Sequence, residues 1–478
     1  MASQKQSGVP QKTRLPLMGA YSNRDSSGSK DQRFINMFPE TRKVDQLENT
    51  KIFMNKRPGL TAYKDFGTGE GRAMAYFRNR FYVVVGNQLI EDDTVPVVKA
   101  TLSTSTGHVG LLNCNSGSLG DYLFMTDGIN AWVIKQDGTC TQVTDVNFPT
   151  PHISVATFID GYVCLAKGSD VYTCTLDDPF TWPTSNFLSA EMFPDPIISL
   201  ARQNNQVVVL GSSSIEFFYD AANAAGSPLS RNDAATIQMG TASAYSVYQN
   251  EQFCIYVSAS DSGGRAVWLI KGFQPQKITD EYIERIIDAE VNMSDCRGFG
   301  IRTKGHLFYV LNLKTSGRTL VYDVDEKLWH EWSTDSAGSH TVFAYDNMAD
   351  SGIGAAHVLH TSNGTVYKVD PNIYQDDTTP IHCTIVTNKY DMDSYNRKFM
   401  SSLKLVGDSY SPTNVVTFYW TDDDYQTWSN AKTIDMNDDF PAFQRLGAFR
   451  RRAFKFEHTA NSPLRLESVE VVYTEGAN

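Results

Sequence analysis

Three consecutive arginines form the densest basic cluster of the chain. Arg450, Arg451 and Arg452 lie within the stretch FRRRAFKFE, Phe449–Glu457. Guanidinium groups pair in the same planar geometry with phosphate oxygens and with carboxylates. Two interpretations therefore stay open, which are contact with nucleic-acid phosphate and a salt-bridged seam against an acidic neighbouring surface. We favour the seam and predict that the three arginines are interface residues.

A run of acidic residues precedes this cluster. The stretch TDDDYQTW, Thr421–Trp428, is similar to the Asp-box turn of sialidase-like propellers, with Tyr425 at the position of the usual glycine. Asp side chains in such a turn bond the backbone a few residues on. We favour this structural turn over the alternative, a cation bound by Asp422, Asp423 and Asp424. The clustered arginines and tyrosine nucleophile of sialidases cannot be located in the sequence.

Other patterns that carry chemistry are missing from the sequence. His357 and His360 would lie on opposite faces of a strand, which does not suit a shared metal ion. No nucleophile elbow, P-loop or dinucleotide-binding glycine motif is present. The seven cysteines contain no C-x-x-C pair, which favours free thiols in a reducing compartment. We therefore predict no catalytic residue, metal site or cofactor, and no enzymatic activity.

The elements that must position these residues are short strands. The stretch Phe299–Ser333 contains four apolar runs separated by turn residues. Runs rich in aromatic and β-branched residues between Gly, Asp and Ser turns are typical of strands. Four strands joined by tight turns match one blade of a β-propeller in length. The predicted strands are 299–302, 306–313, 319–324 and 328–332.

Similar hairpin units recur along the chain. They begin at Ala73, His108, Ile153, Ile197, Tyr245 and Thr341. We predict an all-β protein with an extended N-terminal arm over 1–60, a β-propeller over 61–375 and a C-terminal β-sandwich over 381–478. Six or seven irregular blades both fit, because an early strand could close the last blade. A single helix is predicted over Asp280–Val291, where isoleucines recur at helical spacing.

Charge is unevenly distributed along the chain. Residues 1–60 carry 11 Lys and Arg against 5 Asp and Glu, whereas the whole chain has a net charge of −12. An acidic body argues against tight wrapping of nucleic acid. We expect the basic arm to dock on a negative surface, such as that of a neighbouring subunit. Neither a secretory signal nor an apolar run long enough for a membrane anchor is visible in the sequence.

Several collinear segments resemble the packaged-DNA stabilisation proteins of short-tailed bacteriophages. They are RFINMFPE, Arg33–Glu40; KRPGLTAY, Lys56–Tyr63; VVVLGSSSIEFFYDAANAAGSPLSR, Val207–Arg231; ITDEYIERII, Ile278–Ile287; and the C-terminal FRRRAFKFEHTANSPLRLESVEVVY, Phe449–Tyr473. The resemblance implies a propeller-bearing tail hub, or nozzle, without catalytic residues. The N-terminal arm is longer and more polar here than in that family.

The resemblance also implies partners and a location. It implies a homo-oligomeric ring, a hexamer, placed below the portal and the head-tail adaptor in the virion tail and assembled in the host cytoplasm. Such a ring extends the DNA channel, retains packaged DNA and presents its surface to tail spikes, fibres or a needle. The alternative is a propeller-type glycan-binding protein or glycosidase.

An acidic channel wall would suit a conduit through which double-stranded DNA slides without specific binding, because like charges repel within the ~8 Å Debye length. The candidate wall residues lie in polar loops between strands. They are Asp422, Asp423, Asp424, Asp438 and Asp439, together with Asp92 and Asp93. The alternative is an acidic outer surface that only aids solubility.

Overall fold

Strands make up almost all of the regular structure. The computed structural model describes residues 8–19, 32–43, 50–259, 264–334, 343–351, 356–410 and 414–476. The chain forms two compact units. Unit 1 comprises Met1–Thr61, Arg318–Phe343 and Asp370–Asn478, and unit 2 comprises Ala62–Gly317 and Ala344–Val369.

The bounds of the strands follow in chain order. The first group is β1 Gln11–Pro16, β2 Arg33–Ile35, β3 Met37–Lys43, β4 Thr50–Lys56, β5 Gly59–Asp65, β6 Gly71–Phe77, β7 Arg80–Val85, β8 Gln88–Glu91, β9 Val97–Thr101, β10 Gly110–Ser116, β11 Gly120–Thr126, β12 Ala131–Ile134, β13 Cys140–Gln142, β14 Thr157–Ile159, β15 Tyr162–Lys167, β16 Asp170–Thr173 and β17 Phe187–Ser189. The second group is β18 Ile197–Gln203, β19 Gln206–Gly211, β20 Ile215–Asp220, β21 Leu229–Arg231, β22 Gly240–Thr241, β23 Tyr248–Gln249, β24 Phe253–Ala259, β25 Val267–Lys271, β26 Gln274–Lys277, β27 Arg297–Thr303 and β28 His306–Leu313. The third group is β29 Arg318–Asp323, β30 Leu328–Trp332, β31 Tyr345–Asp350, β32 Ala356–His360, β33 Thr365–Asp370, β34 Gln375–Asp376, β35 Thr379–Pro380, β36 Cys383–Val386, β37 Lys398–Gly407, β38 Val415–Thr421, β39 Lys432–Asp435, β40 Ala442–Gln444, β41 Ala448–Phe449, β42 Ala453–His458 and β43 Arg465–Glu475.

Unit 2 is a β-propeller built from successive antiparallel sheets. Four sheets have the simple meander orders β6-β7-β8-β9, β10-β11-β12-β13, β14-β15-β16-β17 and β18-β19-β20-β21, and a fifth has the order β22-β24-β25-β26 with β23 beside β24. The hairpin β27–β28 and the strands β31–β33 follow. Seven successive groups of strands thus lie in the described residues of the unit, in agreement with the higher of the two predicted blade counts. The predicted all-β propeller is confirmed.

The blades pack face to face through apolar side chains. One cluster joins the first two blades through Tyr82, Val84, Leu123 and Ile134. Another joins the last blade to the first, because Leu359 and the neighbouring apolar residues of β31–β33 share a core with Val83. Burying the faces of β-branched and aromatic strands between neighbouring sheets is the main stabilising interaction of such a unit.

An early strand completes the last blade. The strand β5 follows β33 in the order of its sheet, as the sequence prediction allowed. Gly364, between β32 and β33, lies so close to Gly67 that a side chain there would clash with the carbonyl oxygen of Gly67, at 2.3 Å from the position of a Cβ. Its φ of +66° adds a second reason for glycine.

The predicted helix is present and shorter than expected. The helix α1 spans Glu281–Asp288 and buries Ile283, Ile286 and Ile287. Asp280 is its N-cap, and its carboxylate accepts a hydrogen bond from the backbone nitrogen of Ile283. An Asp at this position satisfies a donor that the helix leaves unpaired.

Unit 1 contains a β-sandwich. One sheet has the order β3-β4-β43-β37-β40, with β1 on β43 and β41 on β37. In the other, β30 pairs with β2, and the order continues through β36, β42, β38 and β39. The two sheets enclose a core that includes Phe418, Phe443, Phe456 and Val469. Alternation along β43, where every second residue is fully buried over much of the strand, directs one face to this core.

The basic N-terminal segment is part of this sandwich, an arrangement that the sequence prediction did not contain. The strand β1 pairs with β43 from Gln11 with Tyr473 to Pro16 with Ser468. The hairpin β3–β4 adds to the same sheet, and β2 pairs with β36. In the described part of this segment, Lys12 pairs with Glu470 and Lys51 pairs with Glu467, so these two lysines find negative partners in the same chain. The stretches 1–7, 20–31 and 44–49 of the predicted arm lie outside the described residues.

All seven cysteines are free thiols in the structure. Burial raises the pKa of Cys114, Cys164, Cys174, Cys254 and Cys383, which keeps these thiols protonated.

Within the part of the chain that the structure describes, no helix has the length and apolar character needed to cross a bilayer. The predicted domain boundaries at 60/61 and 375/381 stay predictions.

Candidate functional site

The predicted arginine cluster separates into one buried and two exposed side chains. Arg452 is 1% exposed and makes a bidentate pair with Asp422, with Nε and Nη2 each 2.7 Å from a carboxylate oxygen. Its Nη1 donates to the carbonyl oxygen of Leu446 at 2.6 Å, and its guanidinium carbon lies 4.5 Å from the ring centre of Phe449. All these partners belong to the same chain, so Arg452 stabilises the sandwich of unit 1.

Arg450 and Arg451 remain at the surface. Arg450 donates to the carbonyl oxygen of Tyr395 at 2.7 Å and lies 5.5 Å from the centre of the Tyr395 ring, which is 66% exposed. Arg451 is 3.6 Å from a carboxylate oxygen of Asp424, and both side chains are about two-fifths exposed. Exposed pairs of this kind contribute little to stability. These two arginines are therefore the members of the cluster that are available to a partner.

The acidic stretch is a hairpin turn in which each carboxylate has a partner. Asp423 accepts hydrogen bonds from Thr421 and from the backbone and side chain of Thr427, which lower its pKa to about 2. Asp424 contacts Lys389 at 2.5 Å. Tyr425 stands at the glycine position of the Asp-box with a φ of +67°, and its hydroxyl donates to the carbonyl oxygen of Thr387. These contacts favour a structural turn over the alternative interpretation, in which the three carboxylates bind a cation.

The remaining predicted wall residues differ in their surroundings. Asp438 and Asp439 are exposed in the loop after β39, and neither has an ion pair among the described residues. In unit 2, Asp92 pairs with Lys64 at 2.7 Å and Asp93 pairs with Arg80 at 2.7 Å. Among the described residues, no group of three or more acidic, His or Cys side chains could hold a metal ion.

The sequence prediction missed a cavity lined by the inner strands of the propeller. His108 stacks on the ring of Tyr245 with centroids 4.2 Å apart and planes 19° apart, and the guanidinium carbon of Arg297 lies 4.3 Å from the centre of the same ring. Ser154 links the two aromatic residues, because its Oγ is 3.2 Å from His108 Nδ1 and 3.2 Å from the Tyr245 hydroxyl. A cation, an imidazole and a phenol thus share one wall.

A second arginine holds the loop that carries His108. Arg72 is 3% exposed, and its guanidinium donates to the carbonyl oxygens of Gly107, Gly86 and Thr104 at 2.7–2.9 Å. Burial, and then the positive charge of Arg297, holds the pKa of His108 well below its usual range. His108 is therefore a neutral imidazole at pH 7.

A local signal for this cavity exists in the sequence. Arg72 lies between Gly71 and Ala73, and Arg297 precedes Gly298, each at the start of an inner strand. A Cβ on Gly298 would lie 2.3 Å from the carbonyl oxygen of Ser246. A glycine that must stay small indicates a strand packed closely against the neighbouring segment of the chain. An arginine next to such a glycine therefore indicates a cation close to the inner strands of the propeller.

Comparison with known proteins identifies the family. Residues 13–396 match the model of the Phage_stabilise family, described as bacteriophage P22 Gp10, beta-propeller. The chain belongs to this family. It is a phage structural protein of the packaged-DNA stabilisation class and a component of the virion, as the resemblance noted in the sequence implied. Among curated proteins, none matches this phage stabilisation protein.

Solved structures resemble the phage stabilisation protein only distantly. A streptogramin B lyase structure has 10% identity and a TM-score of 0.42, with 66% of this chain and 97% of that chain covered. Virginiamycin B lyase from Staphylococcus aureus has 10% identity and a TM-score of 0.41, with 66% and 98% covered. The extracellular domain of BT4673 from B. thetaiotaomicron has 12% identity and a TM-score of 0.43, with 80% and 48% covered.

Most of the predicted site residues lie outside the family match, although Asp92 and Asp93 lie within it. The match ends at residue 396, whereas Asp422–Asp424, Asp438, Asp439 and Arg450–Arg452 all follow it. Membership of the phage stabilisation family therefore assigns no role to these residues. The cavity beside Arg297 lies within the matched part.

Proposed function

We propose that this phage stabilisation protein forms a ring-shaped tail hub, or nozzle, a hexamer that extends the DNA channel below the portal and the head-tail adaptor. The ring retains the packaged genome and offers its outer surface to spikes, fibres or a needle. The observation that supports this proposal is the family match over residues 13–396. The net charge of −12 agrees with a channel that DNA passes without tight binding.

The proposal includes a channel wall. Asp438 and Asp439 are the better candidates among the predicted wall residues, because their carboxylates are exposed and unpaired among the described residues. Asp422, Asp423 and Asp424 are weaker candidates, since Arg452, Thr427 and Lys389 offset or engage their charges. An unpaired carboxylate repels a phosphate backbone more strongly than one already paired with a cation.

Removal of the protein from the virus tests retention of the genome. We expect heads assembled without it to package DNA and then lose it, while heads supplied with the wild-type protein keep it. The measurement is the ratio of filled to empty heads by electron microscopy, together with nuclease sensitivity of the released DNA. Filled heads that stay filled without the protein would contradict the proposed role.

The arginine cluster gives a test of ring assembly with a built-in control. The double change Arg450→Ser and Arg451→Ser should leave the unfolding free energy within about 0.5 kcal/mol of the wild type, because both side chains are exposed. It should weaken assembly with the head-tail adaptor or into rings, and the defect should vary with salt, being largest at low salt because salt screens the attraction that the wild-type arginines provide. Sedimentation velocity at two salt concentrations measures assembly, and urea denaturation measures the unfolding free energy.

Arg452→Ser is the matched control for this experiment. We expect it to lower the unfolding free energy by about 1.5–3 kcal/mol, because hydrogen bonds to a charged group are lost inside the sandwich. Its partner Asp422 is 38% exposed and can be rehydrated, which limits the cost. If the exposed double variant assembles normally and still fails to retain DNA, the phosphate-contact interpretation of Arg450 and Arg451 replaces the seam.

A further inference from the structure

The cavity beside Arg297 has the size of a small-molecule site. The part of the cavity beside Arg297 has a volume of about 380 Å³. A second part, of about 230 Å³, adjoins the first, and both parts are lined by His108, Tyr245 and Asn347. Sites for small ligands have volumes of roughly 300–1,000 Å³ and combine apolar walls with a few polar groups. Leu111, Val247 and Phe299 supply apolar surface in this cavity. It belongs entirely to unit 2 and is formed by the inner ends of several blades.

The charge of the cavity wall is positive. Arg297 is the cation that lines the part of about 380 Å³, and no Asp or Glu lines it among the described residues. The Nη1 atom of Arg297 is buried and has no hydrogen-bond partner in the described part of the chain. Buried donors are nearly always satisfied, and an unpaired one on a charged group is especially costly. An acceptor from outside the chain would remove this cost.

The position of the guanidinium is fixed by its surroundings. One face of the Tyr245 ring supports Arg297 and the ring also stacks with His108. Ser154 fixes Tyr245 and His108 through its hydroxyl, and Arg72 fixes the loop that leads into His108. Because the arginine is held in place, its planar donors are already oriented for a bidentate acceptor.

Two neutral donors accompany the guanidinium. The side chain of Asn347 lines the same part of the cavity, and the structure gives it no hydrogen-bond partner among the described residues. His108 also lines this part of the cavity, and the tautomer in which its Nδ1 accepts a hydrogen bond from Ser154 Oγ carries a proton on Nε2. A cationic ligand would be repelled by Arg297, and a purely apolar ligand would leave Nη1 unsatisfied. The chemistry of the wall therefore suits an anion with several acceptor oxygens.

We propose that the propeller cavity binds a small oxyanion, a carboxylate or phosphate group, through Arg297 with Asn347 and His108 as additional donors. Inorganic phosphate and the carboxylate of a sugar acid share this chemistry. The site goes beyond the tail-hub role and does not depend on it, because all its residues lie within one unit of one chain.

Titration calorimetry on the full-length protein tests the proposal with two probes, sodium phosphate and sodium glucuronate. We expect the wild-type protein to bind at least one of them, and Arg297→Gln to weaken that binding about tenfold to hundredfold, as expected for lost hydrogen bonds to a charged group. Arg297→Lys keeps the charge without the planar fork and should give an intermediate loss. Asn347→Ala should weaken binding by a smaller factor.

Arg302→Gln is the matched control. Arg302 lies on the same strand, β27, is exposed, and does not line the cavity. It should bind the probe within twofold of the wild type. Thermal melting of each variant shows that the fold is retained, and Asn347→Ala supplies a readout if Arg297→Gln does not fold.

Three results would overturn the proposal. They are no binding of either probe by the wild type, equal weakening by Arg297→Gln and Arg302→Gln, and binding that Arg297→Gln and Asn347→Ala leave unchanged. Preference for phosphate over glucuronate, or the reverse, would identify the source of the oxyanion. Failure of this test leaves genome retention by the virus unaffected, so the two proposals fail separately.

Discussion

The change Arg57→Met is expected to lower the unfolding free energy by about 3–5 kcal/mol at pH 7, because it leaves a carboxylate buried without its cation. Arg57 is 1% exposed and its partner Asp376 is 8% exposed. The two form a bidentate pair, with nitrogen to oxygen distances of 2.9 and 2.5 Å. Urea denaturation followed by tryptophan fluorescence measures the effect.

The rest of the Arg57 side chain is also engaged, which supports a value in this range. Its Nε donates to the Asn36 side-chain oxygen at 2.8 Å, and its Nη2 donates to the carbonyl oxygen of Ser333 at 3.2 Å. The guanidinium carbon lies 5.3 Å from the ring centre of Phe343. Loss of the side chain thus leaves acceptors from three parts of unit 1 without their donor.

Arg42→Met is the matched control for this experiment. Arg42 pairs with Glu40 at 2.8 Å, and its side chain is 58% exposed. Exposed pairs contribute about 0–1 kcal/mol, so this variant should be close to the wild type. Equal losses from the two variants would mean that the burial of Arg57 in unit 1 has no energetic consequence.

The strands of the propeller were predictable because their signals are local. The four runs predicted between residues 299 and 332 correspond to β27, β28, β29 and β30 with shifts of at most two residues at the ends. Gly305, with a φ of +87°, and Gly317, with a φ of +65°, occupy turns that need a left-handed residue. The periodicity of the isoleucines likewise predicted α1.

The contribution of the N-terminal segment to the sandwich was not predictable in the same way. The strand β2 has only three residues, and its partners lie about 300 and 350 residues away in the sequence. Pairing between such distant segments leaves no periodic signal in either of them. Only the charge balance pointed to it, because Lys12 and Lys51 contact Glu470 and Glu467 at 2.8 and 2.9 Å.

The candidate sites show the same division between local and distant information. The turn at Thr421–Trp428 was predicted from its own residues, whereas the pairing of Asp422 with Arg452 depends on strands 30 residues apart. The propeller cavity is more difficult to predict, because its lining residues come from four separate segments between residues 108 and 348. Tyr245 and Arg297 become neighbours only after the strands between them have packed.

A buried carboxylate between two arginines should make the stability of unit 1 depend on pH. Glu331 is 7% exposed and accepts from Arg33 at 2.7 and 2.8 Å and from Arg318 at 2.8 and 3.2 Å. Burial alone would raise the pKa of Glu331, but the two guanidinium groups outweigh it and hold the pKa far below the usual value of 4.5. The folded state therefore binds the proton more weakly than the unfolded chain does.

The sign of the effect follows from this difference. A carboxyl group with a lowered pKa in the folded state stabilises the fold above its unfolded pKa, and this contribution falls as the pH drops below about 4.5.

We expect Glu331→Gln to lower the unfolding free energy by about 3–5 kcal/mol at pH 7, because two buried cations lose their shared anion. The difference between variant and wild type should shrink steadily from pH 5 to pH 3. Urea denaturation at pH 7, 5, 4 and 3 measures it, with Glu251→Gln, which changes an exposed glutamate, as the control. A constant difference across this range would show that the packing of residue 331, and not its charge, stabilises the sandwich.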